Sequence, residues 1–253
     1  MPEGDTIHRA ADRMNAALRG KEIALADAPN PRSPVFNRAS ELRGRTFEEA
    51  EAFGKHLVVH FSGGVALHSH LGMNGRWFVA ADGRLPHGRP WLRLAHGRAV
   101  ASQSGGKLLR IVSESRLRND PALRRLGPDP LRAGFDLEEA VVRVRRHGAG
   151  REIGDVLLDQ GVIAGIGNAI RVEGLFRAGI SPWRKVETLS EAELELVVAE
   201  NVAVMRTSAA KGRRPHSIYR ANRKRCPRCG GRVRSRGQGD DNRIAYWCEA
   251  CQT

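Results

Sequence analysis

Apolar residues change their spacing about halfway along the chain. In the first half they occur in short segments that end at glycine-rich turns, such as Ser62-Gly63-Gly64 and Asp82-Gly83, and this pattern is typical of antiparallel strands. In the second half they recur with the period of an amphipathic helix. We therefore expect strands at residues 22–25, 47–52, 56–61, 66–70, 77–80, 92–95 and 108–112, and helices at 137–146, 153–160, 168–178 and 191–205.

Two further features mark helix ends. An opening helix is predicted by an apolar stripe, with Asp5 as its expected N-terminal cap and Gly20 as its end; the stripe consists of Ile7, Ala10, Met14, Ala17 and Leu18. The last helix is expected to begin at a capping box formed by Ser190 and Glu193.

The change of pattern falls near residue 118, which favours several domains in a chain of 253 residues. We expect an α+β, multidomain fold. Residues 1–117 would form an N-terminal helix packed on a β-sandwich or flattened barrel, residues 118–213 a helical domain, and residues 214–253 a metal-binding β-hairpin.

All four cysteines lie near the C-terminus, as Cys226-x2-Cys229 and Cys248-x2-Cys251. Two such pairs can direct four thiolates at one tetrahedral Zn²⁺, which then supplies the folding free energy of a segment too short for its own core. Two disulfides are the alternative. One structural Zn²⁺ is favoured because the chain has no signal peptide and reads as cytoplasmic.

Charge indicates nucleic acid as the partner. Lys and Arg number 42 against 28 Asp and Glu, a net charge of +14. Between Arg206 and Arg236 there are twelve basic residues and no acidic one, although a solvated tail would show the same run. No apolar stretch approaches the length of a transmembrane helix, so a membrane partner is not expected.

Two segments suggest particular chemistry. The glycines of Gly165-Ile166-Gly167-Asn168 are expected to expose backbone amides to a phosphate at the start of a helix. Removal of Met1 would leave Pro2 with a free secondary amine, a nucleophile able to attack C1′ of a deoxyribose, beside Glu3 as acid and base. A solvated terminus without chemistry is the alternative.

Together these motifs resemble the formamidopyrimidine-DNA glycosylase and endonuclease VIII family of DNA repair enzymes, over essentially the whole chain. The motifs are, in order, Pro2-Glu3-Gly4, Gly54-Lys55-His56-Leu57, His68-Ser69-His70-Leu71-Gly72-Met73, Leu126-Gly127-Pro128-Asp129, Leu158-Asp159-Gln160, Gly165-Ile166-Gly167-Asn168 and the two cysteine pairs. The resemblance implies a two-layer β-sandwich, a helix-two-turns-helix domain and a zinc-ribbon hairpin. It also implies a monomer, associated with the nucleoid, that acts on damaged DNA, duplex or single-stranded.

The same resemblance implies roles for individual residues. Pro2 corresponds to the Schiff-base nucleophile and Glu3 to the general acid and base. Lys55 corresponds to a lysine that contacts phosphate and assists elimination, with an exposed hairpin lysine as the alternative. Phosphate ligands are implied at three further positions, Arg125, Asn168 and Arg243, and the last of these also assists the second elimination.

Departures from the family bear on the substrate. Thr6 stands where the family has a second glutamate. Oxidised-purine enzymes carry an Asp-Pro-Arg-Arg-Phe-Gly loop that is absent between Lys107 and Leu126. Met73 resembles the family methionine that fills the space of the extruded nucleotide, with an ordinary core methionine as the alternative. The Gln-Leu-Tyr triplet of endonuclease VIII falls on Gly72-Met73-Asn74, so the triplet is altered here and Asn74 stands beside Met73.

The expected function is therefore that of a bifunctional DNA glycosylase and AP lyase of the endonuclease VIII branch, acting on oxidised pyrimidines by proline Schiff-base chemistry and β,δ-elimination. The alternatives are an oxidised-purine glycosylase, or a zinc-ribbon damage sensor with weak or no catalysis.

Overall fold

A computed structural model describes all residues, 1–253, which form two compact units, Met1–Arg124 and Arg125–Thr253. The first unit begins with helix α1 (Gly4–Leu18) and continues through eight strands: β1 (Leu25–Asp27), β2 (Phe47–Phe53), β3 (His56–Phe61), β4 (Val65–His70), β5 (Arg76–Ala80), β6 (Leu92–His96), β7 (Ala99–Ser104) and β8 (Leu108–Ser113). Two short helices, α2 (Glu114–Arg118) and α3 (Pro121–Arg124), end it. No helix of the chain combines the length and apolar composition needed to cross a bilayer.

The strands form two antiparallel four-stranded sheets, ordered β2-β3-β4-β8 and β1-β6-β7-β5. Their inner faces and α1 share one apolar core, which includes Met14, Phe47, Phe61, Leu67 and Leu94. This confirms the two-layer sandwich. In the register of β3 and β4, His56 pairs with His70 and Val58 with His68, which places three histidines at one end of the sheet.

Helix α1 differs from the prediction at its start. Its N-cap is Glu3, whose extended backbone lets its carbonyl accept the N–H groups of Thr6 (2.9 Å) and Ile7 (3.3 Å). Asp5 therefore lies within the first turn, where its charge favours the helix dipole, and the expectation that it caps the helix is wrong. The predicted end is confirmed, because Gly20 follows the C-cap with φ +73°.

The second unit contains α4 (Leu137–His147), α5 (Ile153–Val156), α6 (Asn168–Ala178), α7 (Glu191–Lys211) and a hairpin of β9 (Val233–Gln238) and β10 (Arg243–Cys248). The capping box of α7 is present at Ser190 and Glu193, as predicted. The hairpin shares a small core with α6, in which Val172 and Phe176 pack with Ile218 and Val233. The three-part division at residues 117 and 213 stays a prediction.

Strand β1 and three other elements differ from the sequence prediction. Strand β1 lies at Leu25–Asp27 instead of residues 22–25, where Glu22 forms only an isolated bridge with Thr46. Strand β7 was not expected, because Ser102 and Gln103 are polar but buried and so interrupt its apolar pattern. Helix α5 ends at Val156 instead of residue 160, because the Asp159 carboxylate accepts the Gly161 N–H (3.0 Å) and starts a turn. Helix α7 continues beyond Met205 to Lys211 and ends where Gly212 takes φ +71°.

Candidate active site and metal centre

The expected nucleophile and acid lie at the start of α1. Pro2 is half-buried, Met1 before it is 40% exposed, and Glu3 is 1% exposed. Because the backbone of Glu3 is the helix N-cap, the positions of both residues are set by α1 and the sheet beneath it. A partly accessible Pro2, whose nitrogen would become a free amine on removal of Met1, is therefore next to the buried carboxyl group of Glu3.

Lys55 occupies the turn between β2 and β3. The turn has two residues, and Gly54 takes φ +58°, as the first position of a tight hairpin turn requires. Lys55 is half-buried, and its ammonium is close enough to His70 to contribute to lowering the pKa of that residue. The hairpin thus holds the lysine at the end of the sheet where the three histidines lie.

These histidines were not singled out as a group from the sequence. Burial is the main reason that the pKa of His56 falls to about 3 and the pKa values of His68 and His70 to about 4. Neighbouring positive groups add to this shift, among them Arg110, Lys107 and Lys55. The period-two placement of His68 and His70 on one strand, opposite His56, is the signal that could have identified the cluster.

Met73 and Asn74 lie in the turn between β4 and β5, and both side chains are exposed. Met73 is 59% exposed, so the alternative of a core methionine is wrong. The turn is closed by a Gly75 N–H that donates to the Leu71 carbonyl (3.0 Å). It presents an unbranched apolar side chain to solvent.

In the second unit the three expected phosphate ligands have different surroundings. Arg125 is exposed. Asn168 is the first residue of α6 and 8% exposed; its amide donates to the Ile244 carbonyl (2.9 Å) and accepts from Arg171 Nε (2.9 Å). Arg243 begins β10 and is half-buried. Asn168 thus links α6 to the hairpin, which leaves its amide one further N–H at most.

The backbone of the glycine turn before Asn168 is hydrogen-bonded to the side chain of Gln160. The Gly165 N–H donates to Gln160 Oε1 (3.0 Å), while Gln160 Nε2 donates to the carbonyls of Leu158 (2.8 Å) and Ile166 (3.0 Å). Gly165 and Gly167 are both buried. The expectation that the amide of Gly165 is open to a phosphate is wrong, because the Gln160 side chain takes it.

Arg171 is a structural residue that the sequence pattern did not reveal. It is 0% exposed, and its guanidinium donates to Gly154 O (2.6 Å), Gln238 Oε1 (2.8 Å) and Arg243 O (3.1 Å) as well as to Asn168. Its place in the pattern of α6 gives no warning, since an arginine on a helix is normally solvated. The residue ties α6 to both strands of the hairpin.

The four cysteines converge, with all four sulfur atoms within 4.8 Å of one another. The Sγ distances are 3.9 Å between Cys226 and Cys251 and 3.5 Å between Cys229 and Cys248. Four sulfurs at Zn–S bonds of about 2.3 Å in a tetrahedron lie about 3.8 Å apart, so the arrangement fits a metal ion of that kind.

Ionisation of the thiols fits a cation as well. A hydrogen bond from the Gly231 N–H (3.4 Å) is the main cause that lowers the pKa of Cys229 to about 7, whereas the hydrogen bond to Cys229 is the main cause that raises the pKa of Cys251 to about 12. Thiols this close together cannot all ionise unless a positive charge joins them.

Comparison with known proteins defines the class. Residues 1–114 match the formamidopyrimidine-DNA glycosylase N-terminal domain, and residues 126–219 match the formamidopyrimidine-DNA glycosylase H2TH domain. The fold and the two matched domains are those of a DNA repair glycosylase.

Relatives match over the full length of the chain. "Probable endonuclease 8 2" of Streptomyces coelicolor is 36% identical, over 100% of this chain and 94% of its own. "Endonuclease 8 1" of Mycobacterium tuberculosis is 31% identical over the whole of both chains. The crystal structure of MutM (Fpg) from Thermus thermophilus superimposes with a TM-score of 0.81 at 26% identity, covering 99% of this chain and 98% of that one. The chain therefore belongs to the formamidopyrimidine-DNA glycosylase and endonuclease VIII family, whose members are DNA glycosylases with AP lyase activity.

Proposed function

We propose that this protein removes oxidised pyrimidines from DNA by attack of the Pro2 amine and then cleaves the strand by β,δ-elimination. The observation that carries the proposal is the Pro2-Glu3 pair at the start of α1. A half-buried proline follows an exposed Met1, and a carboxyl group 1% exposed lies next to it. The endonuclease 8 names of the relatives give the reaction its class.

The chemistry follows from the amine. Once Met1 is removed, the Pro2 nitrogen attacks C1′, the C1′–N bond breaks, and the base leaves with a proton. Glu3 protonates the ring oxygen so that the sugar opens to an iminium joined to Pro2. Loss of a proton from C2′ then expels the 3′ phosphate, and a second elimination expels the 5′ phosphate. Water hydrolyses the iminium and regenerates the amine.

The other predicted residues would hold the DNA. Lys55, fixed in the β2–β3 turn, would contact a phosphate beside the lesion, and Arg243 would hold phosphates from the hairpin and assist the second elimination. Arg125 and the remaining N–H of Asn168 would contact the backbone further away. Met73 and Asn74 would enter the space left by the extruded nucleotide, because extrusion leaves a gap in the base stack.

One structural Zn²⁺ held by the four cysteine sulfurs would supply folding free energy to the hairpin that carries Arg243. It takes no part in the reaction. Backbone amides of Arg228 and Gly231 donate to the sulfurs of Cys226 and Cys229, and these hydrogen bonds would help to fix the cysteine end of the hairpin.

The preference for pyrimidines is supported by the connections that lie beside the Met73 turn. Only Gly105, Gly106 and Lys107 join β7 to β8, and β8 leads directly into α2. Neither connection carries an arginine and phenylalanine pair that could complete a wedge against an orphaned partner base. An enzyme built this way should select the damaged base rather than its partner.

Borohydride trapping on an oligonucleotide with an abasic site tests the proposal. Protein with a processed N-terminus should become covalently joined to DNA, and an extension of two residues before Pro2 should abolish the adduct, since only a free secondary amine forms the iminium. Trapping by the extended protein would overturn the nucleophile assignment. No adduct on any lesion, with intact DNA binding, would instead favour a damage sensor.

Glu3→Gln provides a matched control for the first step. It should lower base excision at least ~100-fold but nicking of a preformed abasic site much less, because the second substrate needs no departure of the base. Equal losses on both substrates would place Glu3 in elimination alone.

A further inference from the structure

A chain of hydrogen bonds connects an ion pair between a half-buried arginine and a buried aspartate to the histidines beside Lys55. Arg110 forms an ion pair with Asp120, which is 7% exposed. Arg110 Nη2 also lies 2.9 Å from His68 Nδ1, and His68 Nε2 lies 2.9 Å from His56 Nδ1. His68 is 0% exposed, so water cannot substitute for either contact.

The hydrogen-bond donors in this series of contacts fix the tautomers of His68 and His56. A guanidinium only donates, so His68 Nδ1 must accept, and His68 carries its proton on Nε2. That proton is donated to His56 Nδ1, so His56 also carries its own proton on Nε2. Neither ring can take the other tautomer without placing two donors against each other.

His70 is fixed in the same state by the backbone. Its Nδ1 accepts the Gly72 N–H (3.1 Å), so its proton is on Nε2, and its carbonyl accepts the Lys107 N–H (2.8 Å). The His56 ring packs edge-on against the His70 ring at 4.7 Å between centroids. His70 therefore joins the chain to the turn that carries Met73 and to the turn that carries Lys107.

The turn at Gly72–Gly75 and the turn at Gly106–Lys107 pack closely against each other beside His70. A Cβ added to Gly72, whose φ is +59°, would lie 3.1 Å from Lys107 Cβ, and one added to Gly75 would lie 2.8 Å from Gly106 Cα. The two turns are therefore in close contact beside His70.

Burial is the main reason that the cluster stays neutral, and the charges around it add to the effect. Arg110, Lys107 and Lys55 act on the rings from β8, the β7–β8 turn and the β2–β3 turn, and the Asp120 carboxylate, 3.7 Å from His68 Nδ1, is taken up by Arg110. With pKa values of about 3 to 4, all three rings are uncharged at pH 7. Neutral rings keep one accepting nitrogen each, which the chain of hydrogen bonds requires.

We propose that His56 and His68 are positioning residues: Arg110 holds them neutral in the Nε2–H state beside His70, which the Gly72 N–H holds in the same state, and this arrangement holds Lys55 and the Gly72–Asn74 turn where DNA is bound. That Lys55 and this turn bind DNA rests on the proposed function. The tautomers of the three histidines do not depend on it. His56 and His68 thus have a role in activity that requires no contact with the substrate.

The first test needs no variant. Long-range ¹H–¹⁵N spectra of the histidine rings at pH 7 should show His56, His68 and His70 as neutral Nε2–H tautomers. A cationic ring, or an Nδ1–H ring at either His56 or His68, would overturn the proposal. This readout is independent of activity, so it separates the proposal from a failure of the glycosylase assignment.

The second test compares substitutions at His68. His68→Gln keeps an acceptor and a donor, whereas His68→Leu keeps volume and loses both. The two measurements are kcat and KM for nicking of a preformed abasic site, and the affinity for a duplex with a tetrahydrofuran abasic analogue. Both kcat/KM and this affinity should fall ~10-fold or more in His68→Leu and stay within ~3-fold of the wild type in His68→Gln. His60→Gln, on the neighbouring strand but bonded to Glu114 (2.6 Å), is the control that should leave both unchanged.

If His68→Gln and His68→Leu are both folded by circular dichroism and show the same kcat/KM and DNA affinity, the His68 side chain only fills space, and the proposal is overturned. If His68→Leu does not fold, the ring spectra of the wild type and the kinetics of His68→Gln remain decisive, because loss of activity in a folded His68→Gln protein would also contradict it.

Discussion

At the scale of single residues, exposure separates interpretations that the sequence left open. Met73 and Leu85 are both large, apolar and mostly exposed, at 59% and 62%. Only Met73 lies in a turn whose backbone is held on both sides, by His70 and by Lys107. An exposed apolar side chain on a fixed turn is suited to enter a base stack, because the backbone that carries it loses little conformational entropy on insertion.

Met73→Ala should therefore slow excision from duplex DNA by ~10-fold and excision from single strands much less, since a single strand has no stack to fill. Single-turnover rates on the same lesion in both contexts measure the difference. Leu85→Ala is the matched control and should change neither rate. A Met73→Ala protein that loses equally on both substrates would act through folding or affinity, and the wedge assignment would be wrong.

Single residues also show the limits of the sequence. The four clustered cysteines and the Pro2-Glu3 pair could be singled out from the sequence because their spacing or position is itself the signal. Arg171 and Gln103 could not, because each is a polar residue that is buried only through partners distant in the chain, Gln238 and Ser69 among them. Local pattern assigns such residues to the surface.

At the scale of elements, three histidines of β3 and β4, namely His56, His68 and His70, make the first unit sensitive to acid. Their pKa values in the folded protein, about 3 to 4, lie below the ordinary value of 6.5, so the unfolded chain binds more protons as pH falls. Stability is full above pH 6.5 and is lost as pH falls from 6.5 through about 4 for His68 and His70 and through about 3 for His56, by up to ~1.4 kcal/mol per pH unit for each histidine.

Urea unfolding of the wild type at pH ~7 and at pH ~5 should show this loss, and the double variant His56→Asn, His68→Gln should show a smaller one, because it has fewer groups to titrate. Stability that is the same at both pH values would show that the rings bind protons as readily in the folded protein as in the unfolded chain. That result would also count against the neutral tautomers.

The hairpin of β9 and β10 has more than one anchor. Zinc was expected to be its only scaffold, but Arg171 also donates to Gln238 and to the Arg243 carbonyl, and Val233 packs against α6. Removal of the metal should therefore loosen the cysteine end first, while the strands keep part of their contact with α6.

Chelation, or Cys248→Ser, should lower affinity for abasic-analogue DNA by ~10-fold or more and raise amide exchange at residues 226–251, with little change at residues 4–113. Added Zn²⁺ should restore the chelated protein but not the variant. Affinity that is unchanged in metal-free protein would show that the basic run from Arg206 to Arg236 binds DNA without an ordered ribbon.

At the scale of the whole molecule, the sequence predicted the class of each half well, because a period of two or of 3.6 survives over many residues. Strand β7 and the true ends of α5 and α7 escaped, since each depends on a local competition between side chain and backbone that periodicity does not report. Roles for Pro2, Lys55, Asn168 and Arg243 remain predictions, because placement alone does not show what a residue contacts in a complex with DNA.

The lesion preference is a property of the whole molecule, since it depends on what every loop near the extruded nucleotide offers. Three residues, Gly105 to Lys107, connect β7 to β8, and the neighbouring turn offers Met73 and Asn74. No arginine in these turns can read the edge of an orphaned partner base in a bidentate manner. Little selectivity for the opposite base should follow.

We therefore expect thymine glycol or 5-hydroxycytosine, in duplex or single-stranded DNA, to be excised with a kcat/KM at least ~10-fold above that for 8-oxoguanine paired with cytosine. Excision of each lesion opposite all four bases measures both the preference and its dependence on the partner. Trapping on a preformed abasic site in the same series controls for the lyase step, which all substrates share. If 8-oxoguanine opposite cytosine is the best substrate, with sharp discrimination against other partners, a residue outside these turns reads the partner base and the assignment to the endonuclease VIII branch is wrong.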